Sequence, residues 1–283
     1  MIKYTFVSLG RFESIGLRFG GAGLGNILFP WARALVYTKK YNLTRIKTTW
    51  FNLKIGPFLR LERDKRVYSD LFNETDGLSG VKKFFILNFS NKVKVFSGMD
   101  RLFEVFKHEH NFIKSELLKI INPYHLNNSN KFNRDAIAVH IRMGDFKIPN
   151  DENLLRDGHW NYRIPLVWYI NIIQKICCET SLPIYIFSDG TDDELKDILK
   201  LSNCSRVFFG SAISDMIAIS NAKLLVASSS TFSMWASFLG QLPTIWFPGQ
   251  MRQKIISDLS IFEGELDYND KLPLSMIEML QND

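Results

Sequence analysis

The sequence predicts an α/β fold made of two Rossmann-like halves. Beyond residue 135, short apolar stretches alternate regularly with longer helical patterns, which is typical of parallel strands joined by crossover helices. The beginning of the chain opens similarly, with an apolar strand, a glycine-rich loop and an apolar helix. With 283 residues, 46% of them hydrophobic, the chain can form one large domain or two smaller ones, and the repeated pattern favours two.

The first half is predicted to begin with a strand over residues 2–9 and a helix from Asn26 to about Tyr41. The middle of the chain, residues 50–130, shows no clear periodicity. The stretch from Asn127 to Asn133 is rich in Asn and Ser, which indicates a linker. We therefore predict an N-terminal, acceptor-side domain over residues 1–132.

The second half is predicted as a nucleotide-sugar-binding domain over residues 133–260, followed by a helical tail over 261–283. Pro183 and Pro243 open two strands, and Thr191 and Glu194 have the spacing of a capping box. Strands are predicted at 136–142, 183–188, 205–209, 223–227 and 243–247, helices at 166–179, 191–201, 213–221 and 231–239, and a final helix from Leu274 to Leu280.

The net charge of +6 favours an anionic partner: a nucleotide, a phosphorylated lipid carrier, a membrane surface or a nucleic acid. General solubility is the alternative explanation. The basic residues form only short clusters, such as Lys82-Lys83 and Arg60 to Arg66, and not the dense stripe of a nucleic-acid-binding protein. We therefore expect no nucleic-acid partner.

The three cysteines, Cys177, Cys178 and Cys204, give neither a disulfide framework nor a metal-ligand spacing, and are predicted as reduced core residues. The N-terminus lacks a signal-peptide pattern, and no apolar run is long enough to span a bilayer. The expected location is the cytoplasm, with at most peripheral contact at the inner face of the plasma membrane.

The stretch Ala136–Asp145 is predicted to deliver three polar side chains to the end of a buried strand. His140 and Arg142 are two residues apart, so they share one face of that strand. A guanidinium held there suits a diphosphate by its charge and its fork of donors. The alternative is an ion pair between Arg142 and Asp145 in a turn, and this stretch alone does not decide between them.

A glycine-rich loop, Gly20 to Asn26, separates the first strand from the first helix, where glycines let a backbone pass close to a ligand. The loop lacks the third glycine of a dinucleotide fingerprint and the Gly-Lys-Ser/Thr of a P-loop, so hydride transfer and ATP hydrolysis lose support. Asn26 is either the N-cap of the helix or a ligand contact in a cleft between the halves.

Five hydroxyl residues occupy the six positions 228–233, where a strand passes into the next helix. Backbone N–H groups and hydroxyls at a helix N-terminus form an anion site, and capping alone needs one such residue, so the surplus favours phosphate binding. A cap with extra serines is the alternative. Asp189, at the end of another strand, is either an acceptor for a base or ribose or a turn residue.

The sequence offers little for metal or serine-hydrolase chemistry. It has no Asp-X-Asp arrangement, its five histidines do not pair with glutamate in the metalloprotease pattern, and it has no Gly-X-Ser-X-Gly elbow. A metal-free transfer without a cofactor is the expectation that remains.

Three segments resemble the motifs of bacterial α-1,2-fucosyltransferases, which belong to a fucosyltransferase superfamily with the GT-B fold of two facing Rossmann-like domains and a cleft between them. The segments are Gly23-Leu-Gly25-Asn26-Ile-Leu-Phe29, His140-Ile-Arg142-Met-Gly144-Asp145 and Ser229-Ser-Thr231-Phe232-Ser233-Met-Trp235. The resemblance implies an inverting, metal-independent glycosyltransferase that moves fucose from GDP-fucose to a hydroxyl, galactose O2, of an oligosaccharide.

The resemblance also implies roles for individual residues. Arg142 would bind the pyrophosphate and stabilise the departing GDP, His140 would shape the same site, and Asn26 would lie near the sugar. Asp145 is the first candidate for the general base and Glu13 the second. The predicted catalytic residues are Arg142, Asp145, His140 and Asn26, and the predicted donor-binding residues are Gly23, Gly25, Asn26, His140, Arg142, Asp189, Ser229, Ser230, Thr231 and Phe232.

Two positions depart from the family motifs, Met143 in place of a second arginine and Ile27 in place of a glutamine, and a changed donor sugar is one consequence to expect. The segments Phe51 to Leu61 and Lys82 to Phe106 match no motif and are expected to build the acceptor site.

The implied setting is the synthesis of a surface polysaccharide, such as lipopolysaccharide O-antigen or capsule, with an acceptor on a lipid carrier. Two alternatives are a transferase that uses another nucleotide sugar and a non-catalytic protein that binds sugar nucleotides or glycans.

Overall fold

The structure is a computed structural model that describes residues 1–19, 21–52, 68 and 70–281. Gly20, residues 53–61 of the expected acceptor segment and the basic cluster Arg60 to Arg66 lie outside the described residues. The chain divides into two compact units, Met1–Asn127 and Asn128–Asp283. Both units are built on parallel sheets, which confirms the predicted α/β architecture.

The N-terminal unit contains a three-stranded parallel sheet of order β2-β1-β3. The strands are β1 (Tyr4–Val7), β2 (Thr44–Arg45) and β3 (Val93–Phe96). Helix α1 (Leu24–Tyr41) buries Leu28, Trp31 and Leu35, spaced for one helical face, and packs on β1, where the Thr5 and Thr38 hydroxyls are 2.6 Å apart. The predicted strand and helix are thus present, with shifted bounds.

This part of the chain also forms α2 (Gly80–Phe89), α3 (His110–Ile120) and α4 (Pro123–Ser129). Two 3₁₀ turns, Glu13–Ile15 and Lys107–Glu109, lie before α1 and before α3. The boundary between the two units falls within the predicted linker from Asn127 to Asn133, whose first three residues belong to α4. Pro123 starts α4, and the Asn122 side chain accepts a hydrogen bond from Tyr124 N, so a short helix forms despite the polar sequence.

The second unit contains a six-stranded parallel sheet of order β6-β5-β4-β7-β8-β9. If the six strands are numbered 1 to 6 along the chain, their spatial order in the sheet is 3-2-1-4-5-6, which is the Rossmann arrangement. All five residues of β4 are buried, because helices cover both faces of such sheets. The strands are β4 (Ile137–Ile141), β5 (Ile184–Ser188), β6 (Cys204–Arg206), β7 (Leu224–Val226), β8 (Thr244–Trp246) and β9 (Glu263–Glu265).

The helices of the second unit follow the predicted alternation. They are α5 (Asn153–Arg156), α6 (Leu166–Cys177), α7 (Asp192–Leu199), α8 (Ala212–Ile219), α9 (Thr231–Gly240) and α10 (Leu274–Gln281). The predicted capping box is confirmed: the Thr191 hydroxyl accepts from Glu194 N at 3.2 Å, and Glu194 accepts from Thr191 N at 2.8 Å. Helix α6 buries Trp168, Ile172 and Ile176 against the sheet core.

Two elements of the second unit differ from their predictions. The tail contains the predicted final helix as α10, but Glu263–Glu265 was not predicted and pairs with β8 as an edge strand. The buried Glu263 carboxylate accepts from Ile255 N and Ile256 N. Strand β6 ends at Arg206 and not at residue 209, and Phe209 N donates to the Asp215 carboxylate at 2.7 Å instead of joining the ladder.

The three cysteines are unpaired. Cys177 and Cys204 are half-buried, but the prediction of a core position is wrong for Cys178, which is exposed because α6 ends at the residue before it. Within the described ranges, no helix has the length and apolarity that crossing a bilayer requires.

Candidate functional site

The strand order of the second unit creates a topological switch point between β4 and β7. Strands on one side of this point follow β4, and strands on the other side follow β7. Open parallel sheets bind ligands in the crevice at the carboxyl ends of the strands at such a point. His140 and Arg142 come from the end of β4, and Ser228 follows the end of β7, so the two strongest sequence motifs flank one position.

His140 is buried between these two strand ends. Its Nδ1 lies 2.7 Å from Ser233 Oγ and 3.0 Å from Ser228 Oγ, and its ring centroid lies 4.8 Å from that of Phe232. Burial, together with the positive charge of Arg142, lowers the pKa of His140 to about 3. The imidazole is therefore neutral at physiological pH and shapes the site without adding charge to it.

The serine cluster forms a hydrogen-bonded network around His140. Ser228 Oγ lies 2.9 Å from Ser230 Oγ and 3.0 Å from Ser233 Oγ, and Ser230 caps α9 by accepting from Ser233 N. Ser229 Oγ donates to Tyr162 O at 3.1 Å. All four serine side chains are buried and have partners inside the protein, so the surplus of hydroxyls also serves to hold β7, α9 and His140 together.

The first turn of α9 lies next to this network. Thr231 and Phe232 are half-buried, and Ser230 has the extended backbone of an N-cap. The positive end of the helix dipole is therefore located at the carboxyl end of β7, beside the ring of His140.

Arg142 is held by two carboxylates. Its Nη2 donates to Asp145 Oδ1 at 2.5 Å, and its Nη1 pairs closely with Asp189 Oδ2. The ion pair with Asp145, which the sequence left as an alternative, is thus formed. Asp145 is half-exposed, whereas Asp189 is mostly covered and its Oδ1 also accepts from Met143 N at 2.7 Å. Asp189 therefore ties the end of β5 to the loop after β4.

Gly144 makes this close approach possible. A Cβ at this position would overlap the Asp189 carboxylate, so only glycine fits between Arg142 and Asp145.

Two further arginines, which the sequence analysis missed, fix the loops after β4 and β5. Arg163 pairs with Glu194 at 3.0 Å and donates to Phe146 O at 3.0 Å. Arg206 donates to the carbonyls of Ser188 at 3.1 Å and Gly190 at 2.6 Å. Neither arginine lies in a motif, so the sequence offered no signal for this role.

Met143 points away from the exposed edge of the sheet. Its side chain is 6% exposed and belongs to the hydrophobic core, and a Cβ on Gly190 would come within 2.8 Å of its Sδ. The residue that replaces the family's second arginine therefore lies inside the unit. Met143 therefore contributes no side chain to the surface that Arg142 reaches.

The glycine motif, which is the segment from Gly23 to Phe29, does not begin its helix where the sequence predicted. Helix α1 begins at Leu24 with Gly23 as its N-cap, and Leu24 N donates to the Tyr68 hydroxyl at 2.9 Å. The interpretation of Asn26 as the N-cap is therefore wrong. Asn26 is half-buried in the first turn of α1, and Gly25 is buried beside it.

The N-terminal unit also contains a buried group of charged side chains, of which Arg18 lies next to Gly21. The Glu13 carboxylate accepts from Leu9 N at 2.9 and 3.1 Å, and burial raises its pKa. Lys83 Nζ donates to Thr49 Oγ1 at 2.6 Å, and burial lowers its pKa. Arg18 is fully buried and donates to Trp50 O at 3.3 Å. Arg18 lies in no motif, and Lys83, of the basic pair Lys82-Lys83, is buried.

The predicted site residues thus fall into two groups. The second unit brings together His140, Arg142, Asp145, Asp189 and residues 229–232, while Gly23, Gly25 and Asn26 form a separate group at the start of α1. Among the described residues, no set of three or more His, Cys, Asp or Glu side chains is placed to hold a metal ion.

The profile of glycosyl transferase family 11 matches residues 24–250, which is 227 of the 283 residues. The chain belongs to glycosyl transferase family 11. The matched range contains both motifs of the second unit and all but the first residue of the glycine motif, and the resemblance to fucosyltransferases is confirmed. No curated protein matches this family 11 glycosyltransferase.

Several solved fucosyltransferases are similar to this family 11 glycosyltransferase in structure, each with 12% sequence identity. POFUT1 in complex with GDP gives a TM-score of 0.47 over 87% of this chain and 98% of the other. NodZ alpha-1,6-fucosyltransferase soaked with GDP-fucose gives 0.43 over 87% and 95%, and fucosyltransferase NodZ from Bradyrhizobium gives 0.43 over 88% and 97%.

Proposed function

We propose that this family 11 glycosyltransferase transfers fucose from GDP-fucose to galactose O2 of an oligosaccharide, with inversion at the sugar and without a metal ion. The position of Arg142 carries the proposal. Arg142 follows the end of β4 at the switch point of a Rossmann-ordered sheet, and the N-terminus of α9 follows the end of the neighbouring strand β7. A diphosphate placed there would meet a fixed cation and a helix dipole of the required sign.

The same geometry suits the chemistry of the transfer. When the bond between fucose and GDP breaks, negative charge grows on the diphosphate, and a guanidinium already aimed at that position stabilises the transition state more than the ground state. In this proposal Ser229, Ser230, Thr231 and Phe232 line the GDP pocket through the first turn of α9. Neutral His140 holds that turn against β4.

Asp145 and Arg142 are coupled in the proposed reaction. Before the donor binds, the Asp145 carboxylate pairs with Nη2 of Arg142 at 2.5 Å, and Asp189 pairs with Nη1. A diphosphate competes with Asp145 for the same guanidinium, because carboxylate and phosphate oxygens both accept hydrogen bonds from its fork of donors. Exchange of one for the other leaves Arg142 on the donor, still held by Asp189, and frees the Asp145 carboxylate to take the proton of the acceptor hydroxyl.

For the N-terminal unit we propose a role on the sugar side. Gly23 and Gly25 let the chain pass close to the donor, and Asn26 contacts the fucose. Glu13 is the second candidate for the base. We further propose that the acceptor is carried on a lipid during synthesis of a surface polysaccharide at the cytoplasmic face of the membrane. The net charge of +6 supports this location.

A donor screen with product analysis tests the proposal. The purified chain is given GDP-fucose, GDP-mannose or a UDP-sugar with a galactose-terminated oligosaccharide, with and without EDTA. We expect fucose transfer from GDP-fucose alone, unchanged by EDTA, and a product linked at galactose O2. Transfer from another donor would assign another sugar, and binding of a donor without turnover would assign a non-catalytic protein.

Substitutions of Arg142 test its role. We expect Arg142→Ala to lower kcat by about 100-fold or more, and Arg142→Lys to recover little, because a lysine cannot supply the fork of donors. Arg134→Ala, at an exposed arginine before the start of β4 and outside the motifs, is the matched control and should retain full activity. Equal activity of Arg142→Ala and the control would contradict the proposal.

The identity of the base is tested with the isosteric amides. Asp145→Asn should lower kcat and remove the acidic limb of the pH profile of kcat/KM, while Glu13→Gln should leave that limb in place. The opposite result would assign the base to Glu13.

A further inference from the structure

Helix α2 presents its apolar side chains to solvent and buries a charged one. Its only buried residue is Lys83, whereas Val81, Phe85 and Phe89 are 72%, 56% and 75% exposed. These three residues are spaced by four positions and therefore form one stripe along the helix. The usual pattern of a surface helix is the reverse, with the apolar stripe against the core.

The stripe is part of a larger apolar surface. The rings of Phe84, Phe85 and Phe89 contact one another, with centroid distances of 5.7, 5.8 and 6.5 Å. We call Val81, Phe84, Phe85 and Phe89 the α2 face.

The charged residues that are close to the α2 face in the sequence are all lysines. Lys82, Lys92 and Lys94 are exposed, and no acidic residue occurs between Gly77 and Met99. Exposed phenylalanines with adjacent lysines are the composition of helices that lie in the interface of an anionic bilayer. At ten residues α2 is about 15 Å long, which suits the interface and is too short to span the membrane.

We propose that the α2 face docks this glycosyltransferase on anionic lipid bilayers, with its phenylalanines in the headgroup region and the three lysines on the lipid phosphates. A second copy of the chain fits less well, because a two-fold interface through this face would bring the lysines of both copies together. A glycan also fits less well, because sugar sites are concave whereas these rings project from a convex helix.

This inference names the membrane contact surface of the proposed function, and its test needs neither donor nor acceptor. The full chain is sedimented with sucrose-loaded vesicles of phosphatidylcholine, with or without one quarter phosphatidylglycerol. We expect partitioning at least tenfold stronger into the vesicles with phosphatidylglycerol, and loss of that difference in 0.5 M NaCl. Failure of donor turnover leaves this result untouched, so the two proposals fail separately.

Two variants separate the apolar from the charged contribution. The double variant Phe85→Ser, Phe89→Ser should weaken partitioning at least tenfold, while Phe208→Ser, at a phenylalanine that is 70% exposed in the second unit, should not change it. The double variant Lys82→Glu, Lys92→Glu should weaken partitioning into anionic vesicles about thirtyfold or more, since each lysine accounts for about fivefold, with Lys200→Glu as the unchanged control.

Three results would overturn the proposal. The first is no partitioning of the wild-type chain into anionic vesicles. The second is partitioning that the Phe85→Ser, Phe89→Ser variant retains, with its urea midpoint equal to that of the wild type. The third is a dimer that this variant dissociates, or a KM for a soluble acceptor that it raises, while vesicle binding stays the same. The third result would assign the α2 face to a second copy or to the acceptor.

Discussion

Met143 lies in the core although its neighbours Arg142 and Gly144 lie at the exposed edge of the sheet. Restoring the family's second arginine would therefore place an unpaired cation among apolar side chains. We expect Met143→Arg to lower the free energy of unfolding by about 3–5 kcal/mol, and Met143→Leu to lower it by less than about 1.5 kcal/mol. Urea denaturation of both variants measures the difference. Equal stability of the two would show that position 143 can turn outward to the donor.

Asp215 gives the second unit a specific pH dependence. Burial raises the pKa of Asp215 to about 7, although its carboxylate accepts from Phe209 N. Because the folded state binds this proton more tightly than the unfolded state, its contribution to stability is complete below about pH 4 and is lost as the pH rises through 7. Asp215→Asn keeps a neutral acceptor for Phe209 N. We therefore expect the variant to be about 2–4 kcal/mol more stable than the wild type at pH 8.5 and equally stable at pH 4.

Urea titrations at the two pH values provide the measurement, and Asp193→Asn, at an exposed aspartate in the first turn of α7, is the control. A wild-type and an Asp215→Asn chain with parallel pH dependence would mean that the carboxylate is ionised in the folded protein throughout this range.

At the scale of elements, the start of α1 depends on a distant side chain. Gly23 cannot cap the helix itself, and the Tyr68 hydroxyl accepts from Leu24 N instead. Tyr68→Phe keeps the ring but removes that acceptor from a buried amide. We expect the free energy of unfolding to fall by about 1–2 kcal/mol. Tyr124→Phe, at a tyrosine that is largely exposed, should leave it unchanged, and a similar loss in both variants would argue against the cap.

The elements that were predictable from sequence are those whose periodicity reflects burial. Strand β4 and helix α6 face the core along a regular pattern, so their type and approximate bounds could be read directly. Strand β9 could not, because Glu-Gly-Glu has no apolar pattern and is ordered by pairing with β8. Helix α2 could not either, since its buried lysine and exposed phenylalanines invert the expected pattern.

The same distinction applies to the candidate site. The motifs located Arg142 and the serines at the ends of two strands, because motif position follows chain order. Partners that depend on three-dimensional packing were not predictable: the hydroxyls of Ser228 and Ser233 turn inward to His140, and Arg163 and Arg206 reach the loops from other elements.

At the scale of the whole molecule, the two units carry different parts of the proposed site. Arg142 and the first turn of α9 lie in residues 128–283, and Asn26 lies in residues 1–127. If GDP binds as proposed, it stabilises the second unit by mass action, by about 2.7 kcal/mol at a GDP concentration 100 times Kd. Hydrogen exchange measured by mass spectrometry reports the two units separately.

We expect GDP to slow exchange in peptides that contain β4 and the start of α9, and GDP-fucose to slow it additionally at the start of α1. The difference between the two ligands then reports the sugar alone, because the nucleotide is common to both. In Arg142→Ala both effects should be lost at the same ligand concentrations. Protection confined to residues 1–127 would contradict a diphosphate site at the switch point. Equal protection of α1 by GDP and GDP-fucose would contradict the contact between Asn26 and the fucose, but not the role of Arg142.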